Sequence, residues 1–146
     1  MAVRDPTTLR DKVRAAYSAA AEKPHEKHAF PVGRAFAESL GYSAELLDGL
    51  PPAASDAFAG VSNVSVFAEI PSGATVLDLG CGAGLDALIA ARRAGPAGKV
   101  IAVDFSTAML ARARQAVAEA GISNLELREA DAEQLPIGDG EVDVAM

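Results

Sequence analysis

The stretch Thr75–Asp104, TVLDLGCGAGLDALIAARRAGPAGKVIAVD, constrains this chain more than any other. Thr75–Leu79 is a short apolar run of the kind that a parallel sheet buries on both faces. Gly80, Gly82 and Gly84 follow, and glycines at that density let a backbone turn sharply and bring its N–H groups close to a ligand. Residues 85–91 read as a helix that Gly95-Pro96 stops. Lys99–Val103 reads as a second strand, with Asp104 at its carboxyl end. Strand, glycine turn, helix and strand in that order make one half of a nucleotide-type α/β fold.

Two kinds of cofactor use that layout, and the glycine spacing separates them. A dinucleotide fingerprint is G-x-G-x-x-G. Counted from Gly80, its third glycine would fall where Leu85 stands, and Gly84 comes one place early. The pattern is instead D-x-G-x-G-x-G, with Asp78 two residues ahead of Gly80. It resembles motif I of the class I S-adenosylmethionine (SAM) dependent methyltransferases. The charges agree, because a pyrophosphate is repelled by a carboxylate beside its turn, whereas SAM carries a sulfonium and an ammonium and no phosphate. Asp104, twenty residues after Gly84, suits a ribose diol in either class. Within the class, GCGAGLD is similar to the G-x-G-A-G-x-D pattern of arsenite methyltransferase-like sequences. The chain resembles the branch that holds those and the ubiquinone-biosynthesis methyltransferases. Asp86 of that pattern also stands where a carboxylate favours the dipole of a helix start.

The resemblance implies a Rossmann-like parallel sheet of strand order 3-2-1-4, the start of the family's 3-2-1-4-5-7-6, with the C-terminal strands missing. It implies SAM as cofactor and a small-molecule methyl acceptor. Asp78, Asp104 and Asp131 recur at intervals of 26 and 27 residues, one strand–helix unit each. Right-handed crossovers bring the ends of such strands to one carboxyl edge, where open α/β sheets bind ligands. By the resemblance, Asp78 supports the turn and the methionine ammonium, and Asp104 takes the two ribose hydroxyls. Asp131 then accepts from the adenine amine, the Ala132 N–H donates to the ring, and Phe105 flanks its face. Each aspartate alone is as well read as a turn or capping residue, and the shared period is what argues for a site. Gly80, Cys81, Gly82 and Gly84 complete the cofactor-binding set. Cys81 enters it through its backbone, with a plain small buried side chain as the alternative. No catalytic residue and no metal ligand is assigned.

Residues 1–70 are expected to form a helical lid segment, and 71–146 the SAM-binding half domain. Residues 7–22 read as a helix with Leu9, Val13, Ala16, Tyr17 and Ala20 on one face. By the resemblance, Tyr17 closes over the methionine end of SAM, and a ring buried by an amphipathic helix is the equal alternative. His25 and His28 lie in a polar loop with no cysteine to complete a metal site, so they are read as solvated. Arg34–Leu40 and Ser43–Leu50 read as short helices, with Ser43 an N-cap, and 53–59 adds a helical turn or two. Gly60-Val61-Ser62-Asn63 is similar to the G-x-G-N segment of arsenite methyltransferase-like proteins, and Asn63 is either a cofactor contact or a turn residue. After Asp104, a helix over 107–120 is capped by Ser106 and ended by Gly121. Residues 125–130 alternate as an edge strand, and 142–146 begin a fourth strand.

A length of 146 residues suits one domain that buries roughly two thirds of its unfolded surface. The net charge of −7, with no offsetting basic patch, argues against nucleic acid as a partner. The single Cys81 excludes an internal disulfide and fits a reducing cytosol. The start MAVRDPTTLRDK lacks an apolar signal core, and no apolar run approaches a membrane span, so the chain is read as cytoplasmic. Arsenite members of the family use several cysteines, and this chain has one. Two other readings stand beside the enzyme. One is a non-catalytic SAM-binding or partner module that self-associates through the exposed strand 142–146. The other is a NAD-dependent oxidoreductase, which the glycine spacing disfavours.

Overall fold

A computed structural model describes residues 6–146; residues 1–5, where the stretch read as lacking a signal core begins, lie outside the described residues. In chain order come α1 (Pro6–Glu22), α2 (Arg34–Ser39), α3 (Ala44–Asp48), α4 (Pro52–Asp56) and α5 (Val64–Phe67). Then follow β1 (Thr75–Leu79), α6 (Leu85–Ala94), β2 (Lys99–Asp104), α7 (Thr107–Ala120), β3 (Leu125–Glu129) and β4 (Val144–Ala145). The strands form one parallel sheet in the order β3-β2-β1-β4, the order that the motif and its resemblance imply.

The two long helices after β1 are bounded by local chemistry. Helix α7 starts where the Ser106 hydroxyl accepts the Met109 N–H at 3.2 Å, and it ends at Gly121 in the left-handed conformation, φ 65°. Helix α6 ends at Gly95, where Asn124 donates from Nδ2 to the carbonyls of Ala91 and Gly95 at 3.0 and 2.8 Å. Asp86 in its first turn and Arg92 and Arg93 in its last complement its dipole. Ser43 caps α3 as expected, accepting from the Leu46 N–H at 3.1 Å. The one-turn helix α5 was not foreseen, since Val-Ser-Val alternates as a strand would.

Helices α6 and α7 pack on the same face of the sheet. There Val76, Val100 and Ala102 meet Ala87, Ala90, Ala91 and Leu110 in a core of small aliphatic side chains. The earlier helices pack outside that layer, with Tyr42, Leu47, Ala54 and Phe58 against Leu85, Leu88 and Ile89. The helices ahead of β1 and those after it therefore share a core. On the other face Leu77, Ile101 and Val103 are met by Ala130, Ile137 and Val142. The apolar face of α1 packs only at its C-terminal end: Ala20 is buried, whereas Leu9 and Val13 are 51% and 39% exposed.

Register decides what the sheet presents at its carboxyl edge. Asp78 pairs with Ala102, two residues short of Asp104, and Asp104 pairs with Glu129, two residues short of Asp131. At about 3.3 Å per residue, each aspartate stands some 7 Å further out than the one before it. Along the expected common edge the three aspartates form a staircase, because parallel strands pair by their own hydrogen bonds and not by the sequence interval between them.

Candidate functional site

A cavity of about 410 Å³ opens beyond β1 and β2, within the ~300–1,000 Å³ usual for small-molecule sites. Its floor is the turn from Gly80 to Ala83, and one side is Asp104, Phe105 and Met109 at the junction of β2 and α7. Phe58–Val61 form the opposite wall, and Val13 and Tyr17 of α1 lie across the mouth. Tyr17 stacks against Phe30 with ring centroids 4.9 Å apart and meets Phe105 edge-on at 6.3 Å. Tyr17 is half-buried and lines the cavity.

The glycine turn is open where a ligand would enter. Gly80 and Gly82 have φ of 76° and 53°, and a Cβ on either would meet no atom within 4 Å beyond its chain neighbours. Gly84 serves packing instead, since a Cβ there would come within 3.2 Å of the Ala113 Cβ on α7. The N–H groups of the turn were expected to face a ligand, and four of them have acceptors within the chain. Gly80 and Cys81 both donate to the Val103 carbonyl, at 2.8 and 2.9 Å, and Gly84 donates to the Cys81 carbonyl. Gly82 donates to Asp104 Oδ2 at 2.8 Å. What the turn offers a ligand is space and the carboxylate it holds.

Asp104 is 7% exposed, and its other oxygen accepts the Ser106 N–H at 2.8 Å. One backbone donor on each oxygen fixes the carboxylate at the cavity rim and leaves a lone-pair direction free on each. Asp78, one step down the staircase, lies beneath the turn and outside the cavity lining. Its Oδ2 is fully buried and has no hydrogen-bond partner among the described residues. Burial, and then the carboxylates of Asp86 and Asp104, push its carboxyl up to about 8. Asp131, one step up, is also outside the lining. It accepts from Arg10 at 3.4 Å and from the Glu133 N–H, and Ala132 beside it is exposed. Cys81 lines the cavity with its thiol held protonated, above its ordinary range, by burial.

Residues outside the expected cofactor-binding set complete the site. Asp86 lines the cavity and accepts from the hydroxyls of Tyr42 and Ser65, so it is more than a helix-dipole charge. Phe58, Val61 and Met109 supply apolar wall. Asn63 is buried under Gly41 and does not line the cavity. His28 donates to the Lys23 carbonyl at 2.8 Å, and His25 stands 4.0 Å from Asp56, so the two histidines face different partners.

A raised carboxyl has a consequence for stability. The folded chain binds a proton at Asp78 that the unfolded chain has already released above the ordinary carboxylate range. The contribution is fully present below about pH 4 and is lost as the pH climbs to about 8. Urea unfolding should therefore show the unaltered chain losing stability between about pH 5 and about pH 8 relative to Asp78→Asn, which has nothing to titrate there. Parallel profiles for the two proteins would mean that Asp78 is ionised in the fold.

The charged side chains lining the cavity among the described residues are Asp86 and Asp104, with no lysine, arginine or histidine. Such a chamber suits a ligand with positive charge and hydroxyl donors, and repels a phosphate. Comparison with known proteins points the same way. A family model described as a methyltransferase domain matches residues 70–146. An arsenite methyltransferase of Halobacterium salinarum is 40% identical over 109 residues, 75% of this chain and 28% of that protein. A demethylmenaquinone methyltransferase of Listeria monocytogenes is 38% identical over 75 residues, 51% of this chain and 32% of that one. The chain thus spans about a third or less of the length of these curated relatives. Among solved structures, a SAM dependent methyltransferase from Aquifex aeolicus superposes with a TM-score of 0.54 at 25% identity, over 79% of this chain and 56% of that one. A phosphoethanolamine N-methyltransferase of Haemonchus contortus superposes with a TM-score of 0.64 over 97% of this chain and 25% of that one; at 17% identity it bears on the fold alone. Among the described residues, no helix is long and apolar enough to cross a membrane.

Proposed function

The chain belongs to the methyltransferase domain family, and from that premise we propose that it binds SAM beside the glycine turn and serves methyl transfer to a small-molecule acceptor. The observation that carries this reading is the chamber itself, a glycine turn left open above a carboxylate that the turn holds in place, with no cation on its walls among the described residues. When bound, SAM supplies a methyl group on a sulfonium, whose displacement needs alignment and exclusion of water more than acid or base.

The residues present fit that cofactor. Asp104 offers two fixed acceptor directions to the ribose hydroxyls. The open faces of Gly80 and Gly82 admit the methionine part, and the buried orphan oxygen of Asp78 leaves an unused polar atom beneath the turn. Phe105 and Met109 give an apolar edge for the adenine ring, and Tyr17 closes the mouth against water. Asp131 and Ala132 are kept as the adenine contacts on condition that the Arg10–Asp131 pair yields, since Asp131 is engaged by Arg10 and is not among the cavity-lining residues.

The acceptor is proposed to be a small molecule and not a nucleic acid, in keeping with the net charge of −7. Arsenite held by a set of thiolates is not offered by residues 1–146, where Cys81 is the one cysteine and its thiol stays protonated. A cytoplasmic setting and association of copies through 142–146 belong to the same proposal, β4 being an edge strand of the sheet among the described residues. Titration calorimetry with SAM and with NAD tests the cofactor directly. Heat is expected from SAM and none from NAD, and the reverse result would discard the reading.

A further inference from the structure

Helix α6 carries Asp86 in its first turn and Arg93 seven residues later on the same face, and both close on Ser65 of α5. Asp86 Oδ1 accepts the Ser65 N–H at 3.4 Å and the Ser65 hydroxyl, while Arg93 donates to the Ser65 carbonyl at 2.5 Å. The same Oδ1 accepts the Tyr42 hydroxyl at 2.5 Å, and that hydroxyl lies 3.2 Å from the Ser62 carbonyl. Ser65 is 0% and Tyr42 2% exposed, so these bonds form away from water, where removing one partner is costly. The Tyr42 ring also meets Phe58 edge-on at 5.3 Å. Phe58 opens the cavity wall, and Ala59–Val61 continue it outside any helix or strand. The wall is thus fastened at one end by Tyr42 and Phe58 and at the other by Ser62 and Ser65, and both fastenings run to one carboxylate.

We infer that Asp86 is a positioning residue for the cofactor chamber: by tying Tyr42 and Ser65 to the first turn of α6, it holds Phe58–Val61 as a wall against the ligand. This role rests on the cofactor reading above. The competing role is direct attraction between the Asp86 charge and a cationic ligand, since Asp86 also lines the chamber. An amide separates the two, because the Asn oxygen still accepts from both hydroxyls but carries no charge.

The test is calorimetric titration of the full chain with SAM and with S-adenosylhomocysteine, which lacks the sulfonium charge, together with hydrogen exchange over residues 57–62 in the absence of ligand. Ser65→Ala and Tyr42→Phe should each weaken binding by about three- to tenfold and speed exchange in the wall, while β1 and β2 stay protected. Asp86→Ala should weaken binding more than either, and Asp86→Asn should restore it to within about threefold of the unaltered chain. Unchanged affinity in both hydroxyl variants would overturn the proposal. So would an Asp86→Asn protein as weak as Asp86→Ala, which would make the carboxylate a charge contact. If Asp86→Ala does not fold, the two hydroxyl variants and Asp86→Asn still decide the matter. No heat from the unaltered chain would dismiss the cofactor reading itself, before any variant is compared.

Discussion

Replacing Gly82 by valine should abolish cofactor binding while leaving a folded protein. Gly82 sits at φ 53°, in the left-handed region that a β-branched residue adopts only under strain, at about 1–3 kcal/mol. The protein is expected to absorb that cost, because the core under the turn is built from Val76, Val100, Ala102 and Leu110, none of which touches the substituted position. Binding is not expected to survive. A Cβ on Gly82 would meet no atom within 4 Å beyond its chain neighbours, and that is the space proposed for the methionine part of SAM. A valine side chain fills it. Strain at the turn also loosens the Gly82 N–H from Asp104 Oδ2, so the carboxylate at the rim loses one of its two anchors. Calorimetry should show no heat with SAM, a loss beyond about a hundredfold, alongside a urea midpoint lowered only modestly. Gly82→Ala should fall between, with the same left-handed strain and a smaller intrusion. A valine variant that binds normally would place the ligand away from this turn.

The sequence carried the parts of the fold that local chemistry decides. Ser106, Gly95, Gly121 and Ser43 are caps, and each bounds a helix where its side chain or its freedom at positive φ predicts. The glycine turn with Asp78 ahead of it identified the open end of the sheet. The stagger of the aspartates was not legible, because an interval of 26 or 27 residues counts chain and not the register in which strands pair. It is that stagger which buries Asp78 beneath the turn, sets Asp104 at the rim and carries Asp131 out to Arg10. The clamp on Asp86 was hidden for a related reason. Its donors lie 44 and 21 residues away in Tyr42 and Ser65, and nothing local to Asp86 distinguishes a hydrogen-bonded hub from a charge at a helix start. Helical periodicity likewise placed Leu9 and Val13 on the apolar face of α1, but periodicity does not say how far along a helix its neighbour extends.

Asp104→Ala should cost about 1.5–3 kcal/mol of SAM binding, roughly ten- to a hundredfold or more in affinity. The ligand loses the two charge-assisted bonds proposed for its ribose hydroxyls. The protein loses more than a contact, since the Gly82 and Ser106 N–H groups are left without their acceptor in a place that is 7% and 0% exposed at residues 104 and 106. Unpaired buried donors cost about 1–3 kcal/mol each, so a lowered urea midpoint is expected with the weaker binding. The amide should not rescue this position, in contrast to Asp86. Both Asp104 oxygens accept from backbone N–H groups, and in Asp104→Asn the side-chain NH2 must turn toward one of those donors. Asp86 uses a single oxygen for all its donors, so an amide there keeps them. Calorimetry on the two Asn variants side by side is therefore a sharp comparison: near-normal affinity for Asp86→Asn and a loss close to that of Ala for Asp104→Asn. If Asp104→Ala binds SAM as tightly as the unaltered chain, the ribose lies elsewhere and the carboxylate at the rim serves only to brace the turn.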